Sequence, residues 1–389
     1  MSRGTRYTPL EMLERLVAYD TESSCSNLIL VDFVEDYLRG WGVAVTRVPN
    51  AAGDKAALFA TFGPADRGGV LLSGHTDVVP VAGQAWSSDP FRLRVENGRA
   101  YGRGTVDMKG FCALALAMAP DFLAAPLHTP VHLLRSYDEE TTCLGSIDNI
   151  ARFGRDLPRP VAAIVGEPTS LAVVDSHKSV ATFVTTVHGH AAHSAKPALG
   201  ANAVAAAGEL IHGLNRLADE MEVRGDPSGR FDPPFTTIHV GMVSGGNARN
   251  ILARTCTIHW EYRGLPDLDP DEIPNRFDAL AETVTRQRLN RYGTYGRIGT
   301  DWEVLVPGLA PEPASRAETL GLMLTGGSAT VTAPFATEAG HFQAAGIPTI
   351  VCGPGTINRA HQPNEYITLD ELAEGEGFLH RLAAVGAGS

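Results

Sequence analysis

The chain has 389 residues, of which 44% are hydrophobic and 20% charged, the balance of an ordinary soluble globular protein, and it is too long for one simple core, so two domains are expected. Its formal net charge of -12 argues against a nucleic-acid partner or an anionic membrane surface, because both are bound through clustered Lys and Arg. Five dispersed cysteines with no C-x-x-C pair indicate neither a disulfide framework nor a structural zinc knot.

The opening residues lack the apolar core of a secretory signal, so a cytoplasmic, reducing location is expected. Helical patterns begin near Pro9 and again over Leu28 to Leu38, and short β-type runs follow at Val43 to Val48, Ala57 to Phe62 and Val70 to Ser73. Met108 to Ala119 is apolar and helical in character, but Pro120-Asp121 stops its apolar run well short of a bilayer span. Val131 to Tyr137 and Ala162 to Val165 read as buried strands. This strand–helix alternation predicts an α/β fold, a mixed sheet flanked by helices with sites at its strand ends.

After about residue 178 the pattern changes. Strands at Val180 to Val187, Phe235 to Val243 and Thr255 to Tyr262, with helices at Ala201 to Leu217 and Pro270 to Arg286, suggest a β-α-β-β-α-β order. An inserted α+β, ferredoxin-like domain is therefore expected over 179–291. It would divide a catalytic domain into 1–178 and 292–389, the second part resuming with a helix near Ser315 to Leu324, a strand at Ala329 to Thr332, a helix at Glu338 to Ala345 and a strand at Pro348 to Cys352.

The chemistry-bearing residues stand at the mouths of these segments. His75 follows Val70-Leu71-Leu72-Ser73-Gly74, with Asp77 two residues on to fix its tautomer. Asp107 sits between Arg103-Gly104 and Lys109-Gly110, where it could reach two metals or merely cap the next helix. Glu139 and Glu140 follow the Val131 strand, and burying such neighbours without cations would be costly. Glu167 ends Ala162-Ala163-Ile164-Val165-Gly166, and His361 lies between Ala360 and Gln362-Pro363. Two imidazoles with several carboxylates are what a two-zinc hydrolytic site requires. Two Zn(II) ions are balanced by Asp107, Glu140, Glu167 and one hydroxide, leaving a neutral cluster that a partly buried site tolerates. Of the histidines in Val187 to Ala195, only His193 is assigned a function, as an oxyanion donor.

These stretches, together with Gly166-Glu167-Pro168-Thr169-Ser170-Leu171, Thr337-Glu338-Ala339 and Gly353-Pro354-Gly355-Thr356-Ile357-Asn358, resemble the dinuclear zinc amidohydrolase and metallopeptidase family. The resemblance is closest to its branch acting on N-acetylornithine. It implies one zinc on His75, Asp107 and Glu167 and a second on Asp107, Glu140 and His361, with cobalt a possible substitute. It further implies Glu139 as general base, a cis peptide after Asp107, His193 as a lid histidine, and a homodimer formed through the inserted domain. His177-Lys178-Ser179 departs from the His-Lys-Gly common in such relatives.

The implied activity is hydrolysis of N2-acetyl-L-ornithine to L-ornithine and acetate, a step of arginine biosynthesis. Arg249 and Asn250 would hold the α-carboxylate and Glu338 the distal ammonium of this small-molecule substrate. The alternatives are a succinyl-diaminopimelate desuccinylase, a broad N-acyl-amino-acid deacylase or carboxypeptidase, and a non-catalytic binding protein on the same fold. A nucleotide-binding protein is disfavoured by the absence of GxGxxG and Walker patterns.

Overall fold

The computed structural model describes residues 4–293 and 295–388. The chain divides into two compact units, one of residues 1–176, 311–331 and 337–389, the other of 177–310 and 332–336. No helix among the described residues is long and apolar enough to cross a membrane.

The first unit is built on a mixed sheet of eight strands, in the order Val45–Pro49, Ala56–Phe62, Val131–Ser136, Val70–His75, Ala162–Val165, Thr349–Val351, Val174–His177 and Val331–Ala333. Its four central strands, 131–136, 70–75, 162–165 and 349–351, run parallel to one another. They are buried along their whole length, which is why they read as continuous apolar runs rather than alternating ones. Every residue of the helix Lys109–Ala117 is buried, Lys109 included, and the run from Phe111 to Ala117 is apolar without a break. The helices Pro9–Val17, Leu28–Gly40 and Leu369–Gly386 share its hydrophobic core. Two of these helices start with reciprocal capping boxes, Thr8 with Glu11 and Thr368 with Glu371. A small second sheet of Arg94–Glu96, Arg99–Tyr101 and Tyr366–Thr368 ties the chain near residue 100 to the segment after His361.

One core polar group gives this unit a pH-dependent stability. His132 is fully buried on a central strand; its ring stacks on Phe59 at 5.4 Å and its Nδ1 lies 3.0 Å from Thr61 Oγ1. Burial pushes its pKa down from 6.5 to about 4. Between those values the unfolded chain holds a proton that the folded one does not, so stability is lost as pH falls from about 6.5 towards 4. The full effect is of the order of 3 kcal/mol. Urea unfolding at pH 6.5 and pH 4.5 should therefore show His132→Leu gaining on the wild type as pH drops. Equal pH slopes for the two proteins would refute this account of His132.

The second unit is a four-stranded antiparallel sheet in the order Thr237–Gly245, Thr255–Gly264, Ser179–His188, Arg297–Val306. Burial alternates along its two central strands, as it does in sheets covered on one face. The helices Ala203–Arg224 and Glu272–Val284 supply the cover, with Leu210, Leu214 and Phe277 packing in one cluster with Phe183 and Trp260. The expected return to the first unit at residue 292 is corrected here. Arg297–Val306 pairs with Ser179–His188 and completes the β-α-β-β-α-β order, and the chain leaves this unit only after Ala310. That strand is exposed or half-exposed along most of its length, so it carries little of the apolar signal that marks a core strand. Ser179, at the departure from His-Lys-Gly, opens its strand half-buried, with its hydroxyl donating to the Gly264 carbonyl at 3.4 Å.

Candidate metal centre

Four segments deliver acids and imidazoles to the C-terminal ends of the parallel strands, where open α/β sheets place their ligands. His75 is the last residue of its strand, Glu139 and Glu140 follow 131–136, Glu167 follows 162–165, and His361 lies in the stretch after 349–351. Asp107 comes from the loop before the helix Lys109–Ala117, and the peptide bond after it is cis. It does not cap that helix. Glu167 can lie here because Gly166 lacks a side chain: a Cβ at that position would meet the Phe111 ring at 2.1 Å.

The donor atoms converge around His75 and Asp107. Nε2 of His75 lies 3.1 Å from Asp107 Oδ1, 3.6 Å from Glu167 Oε1 and 3.9 Å from Glu139 Oε2. Nε2 of His361 lies 3.2 Å from Asp107 Oδ2 and 2.9 Å from Glu140 Oε2. Asp107 thus turns one oxygen to each imidazole. The donors of His75, Asp107 and Glu140 fall within 4.8 Å of one another, and so do those of His75, Glu139 and Glu167. The His361 side chain is 53% exposed, so the cluster opens on that side.

Asp77 organises the cluster from behind. Its backbone carbonyl accepts from His75 Nδ1 at 2.9 Å, which leaves Nε2 free for a cation. Its carboxylate accepts the backbone N–H groups of Glu139 and Glu140, each at 3.2 Å, and the Ser23 hydroxyl at 2.6 Å. Ser23 was missed in the sequence because nothing in an isolated serine marks it as a partner of an aspartate 54 residues away.

The electrostatics favour cations. Burial raises Glu139 and Glu167 well above the ordinary carboxylate range and brings Glu140 up to about 7. Burial would also raise Asp107, but its bonds to His361 and His75 outweigh that and hold it low. Hydrogen bonds to Asp107 and Glu140 lift His361 to about 10. For His75, burial pulls downward, yet Asp107 and Asp77 outweigh it and hold the imidazole well above 6.5. In short, the site concentrates negative charge that protons or cations must balance. Oε1 of Glu140 and Oε1 of Glu167 are buried without a hydrogen-bond partner, a costly state for carboxylate oxygens that coordination would relieve. Imidazole and carboxylate donors in this number suit a pair of divalent cations.

The sequence pattern described as peptidase family M20/M25/M40 matches residues 71–385. The chain belongs to the M20 family. Acetylornithine deacetylase of Shigella sonnei (strain Ss046) is similar to this M20 hydrolase, with 35% identity over 88% of this chain and 86% of that protein. A metallo-carboxypeptidase of the family, Sso-CP2 from Sulfolobus solfataricus, shares its fold at a TM-score of 0.76 and 18% identity, covering 98% of this chain and all (100%) of that one. So does the YXEP protein of Bacillus subtilis, described as a dinuclear metal binding peptidase, at a TM-score of 0.65 and 14% identity over 97% of this chain and 98% of that one.

The remaining expected site residues of this M20 hydrolase lie elsewhere. His193, Arg249 and Asn250 are exposed residues of the second unit. Their two loops meet there: Ser194 N–H donates to the Asn250 carbonyl at 3.0 Å, and His193 bridges to Ile251. Glu338 corrects an expectation. It is 1% exposed and accepts from the Ser73 hydroxyl at 3.3 Å, with Ser136 and Ser146 beside it and its pKa raised to about 7 by burial. It is a buried acid packed against the strand that carries His75, not an open contact for a substrate ammonium. A Thr-Glu pair before a short helix resembles an exposed helix start, and sequence alone does not reveal that the sheet covers it.

Proposed function

We propose that this M20 hydrolase cleaves the N-acyl amide of an N-acetylated amino acid, N2-acetyl-L-ornithine first among them, yielding L-ornithine and acetate as a step of arginine biosynthesis. The convergence of His75, Asp107, Glu139, Glu140, Glu167 and His361 carries the hydrolytic part of this reading. The substrate rests on the 35% identity to acetylornithine deacetylase along most of both chains.

His75, Asp107 and Glu167 would hold one divalent cation, and Asp107, Glu140 and His361 the other, zinc being the natural ion for this donor set and cobalt a substitute. When bound, such ions acidify water to a pKa near ~7 and polarise an acyl carbonyl. Glu139 removes the proton from the attacking water and returns it to the departing amine nitrogen. Its burial supports this role, since a raised pKa makes the carboxylate a better proton acceptor. Asp77 keeps both glutamates in place through their backbone N–H groups. His193 donates to the oxyanion, and Arg249 and Asn250 contact the substrate's α-carboxylate; all three are exposed, as substrate contacts must be in the free protein.

A homodimer through the second unit is part of the proposal. The edge strand Thr237–Gly245 leaves Met242 and Val243 more than half exposed, an unprotected edge of the kind that pairs with another chain.

Rates on acetylornithine, succinyl-diaminopimelate and acetylmethionine test the substrate. The expected result is a kcat/KM on acetylornithine at least about tenfold above the other two, the discrimination that one well-placed polar contact supplies. A preference for the succinylated substrate would make the protein a desuccinylase, and equal rates would make it a broad deacylase.

A further inference from the structure

One buried ion pair lies outside the chemistry assigned so far. Arg103 precedes Asp107 by four residues, Glu365 follows His361 by four, and each is only 1% exposed. Nη1 of Arg103 donates to Glu365 Oε2 at 2.7 Å. The other oxygen, Oε1, accepts the backbone N–H groups of Val106 at 2.9 Å and Asp107 at 3.1 Å. Nη2 of Arg103 donates to Gln84 Oε1, and Gln84 Nε2 in turn donates to the carbonyl of His361 at 3.0 Å. The Trp86 indole N–H also donates to Gln84 Oε1, at 3.0 Å, and the guanidinium lies over the Trp86 ring, 5.1 Å from its centroid.

These contacts grip a stretch of unusual backbone. His361 and Asn364 both have positive φ, 64° and 58°, a conformation uncommon for residues with a Cβ but one that His and Asn adopt more readily than most. Asn364 is held by the Ser87 N–H and hydroxyl, at 3.0 and 2.6 Å, and His361 by Gln84. A buried ion pair costs desolvation that an apolar pair would not, so a positional purpose is the natural account of it.

We propose that Gln84, Arg103 and Glu365 form a positioning clamp that fixes His361 relative to Asp107, and so sets the affinity of the cation shared by Asp107, Glu140 and His361. This rests on the two-cation reading above. Coordination tolerates ligand displacements of only about 0.2 Å, so a slight slip of the 361–365 loop weakens that site. His75 and Glu167 are placed by strand ends and by Asp77, not by the clamp. Of the cation ligands, Gln84 bonds only His361, whereas Glu365 holds Asp107 through its backbone N–H, which makes Gln84 the discriminating position.

The test is calorimetric titration of cobalt(II) into metal-free wild type, Gln84→Ala, Gln84→Glu and Arg103→Met, with thermal unfolding of each metal-free protein alongside. The wild type should take two ions. Gln84→Ala should bind the first as the wild type does and the second about 10–100-fold more weakly, with its unfolding midpoint lowered only by the acceptor that Arg103 and Trp86 lose. Gln84→Glu, which still accepts from Arg103 but cannot donate to His361, should be as weak as Gln84→Ala. Arg103→Met should be at least as impaired at the second site. A wild type that takes fewer than two ions would remove the reading beneath the clamp. A wild type that takes two, with Gln84→Ala binding both at wild-type affinity or weakening both equally, would overturn the clamp alone.

Discussion

Glu139→Gln is expected to keep its cation content near that of the wild type while turnover falls by roughly a thousandfold, the range lost with a general base. Glutamine keeps the shape of the side chain, and the Asp77 contact that fixes this residue is made through the backbone N–H, which the substitution leaves in place. What disappears is the capacity to accept and return a proton. Glu139 also stands close to a ligand position, with its Oε2 3.9 Å from His75 Nε2 and its donor grouped with those of His75 and Glu167. The variant therefore separates two roles. Full activity would place the base elsewhere, and loss of bound cation would make Glu139 a ligand.

Asp107→Asn should be more damaging still. Its two oxygens face different imidazoles, 3.1 Å from His75 and 3.2 Å from His361, so both halves of the cluster depend on one carboxylate. An amide offers one acceptor oxygen and turns two N–H donors toward the other half, where a cation would sit. Removing a residue that merely supports a ligand costs about 10–100-fold in metal affinity, and loss of the shared ligand should exceed that. The expected outcome is at most one cation per chain by elemental analysis, and turnover below that of Glu139→Gln. Retention of two cations would mean that Asp107 does not bridge them.

Much of this centre is visible in the sequence, because strand ends announce it. Each of His75, Glu139, Glu140 and Glu167 follows a short apolar run at or just past its end, where a buried strand must emerge into a loop. That Asp107 and His361 meet across 254 positions has no local signature, and it was expected only through the resemblance to a known family. The clamp was illegible for the same reason: Arg103 and Glu365 are ordinary charged residues until the fold buries them together. Glu338 failed in the opposite direction, since a residue expected to meet the distal ammonium of the substrate proves to be enclosed. The helix Leu369–Gly386 went unread because three glycines blur its apolar stripe, although the Thr368–Glu371 capping box marks its start. The strand Arg297–Val306 was lost to its exposure, and the domain boundary went with it.

The central proposition is best tested by diffraction at the absorption edge of the bound metal, on crystals of protein grown with zinc. Two anomalous peaks are expected, one between His75, Asp107 and Glu167 and the other between Asp107, Glu140 and His361, with Asp107 touching both. An absence of peaks among these five residues, or a single ion that leaves Asp107 uncoordinated, would contradict it.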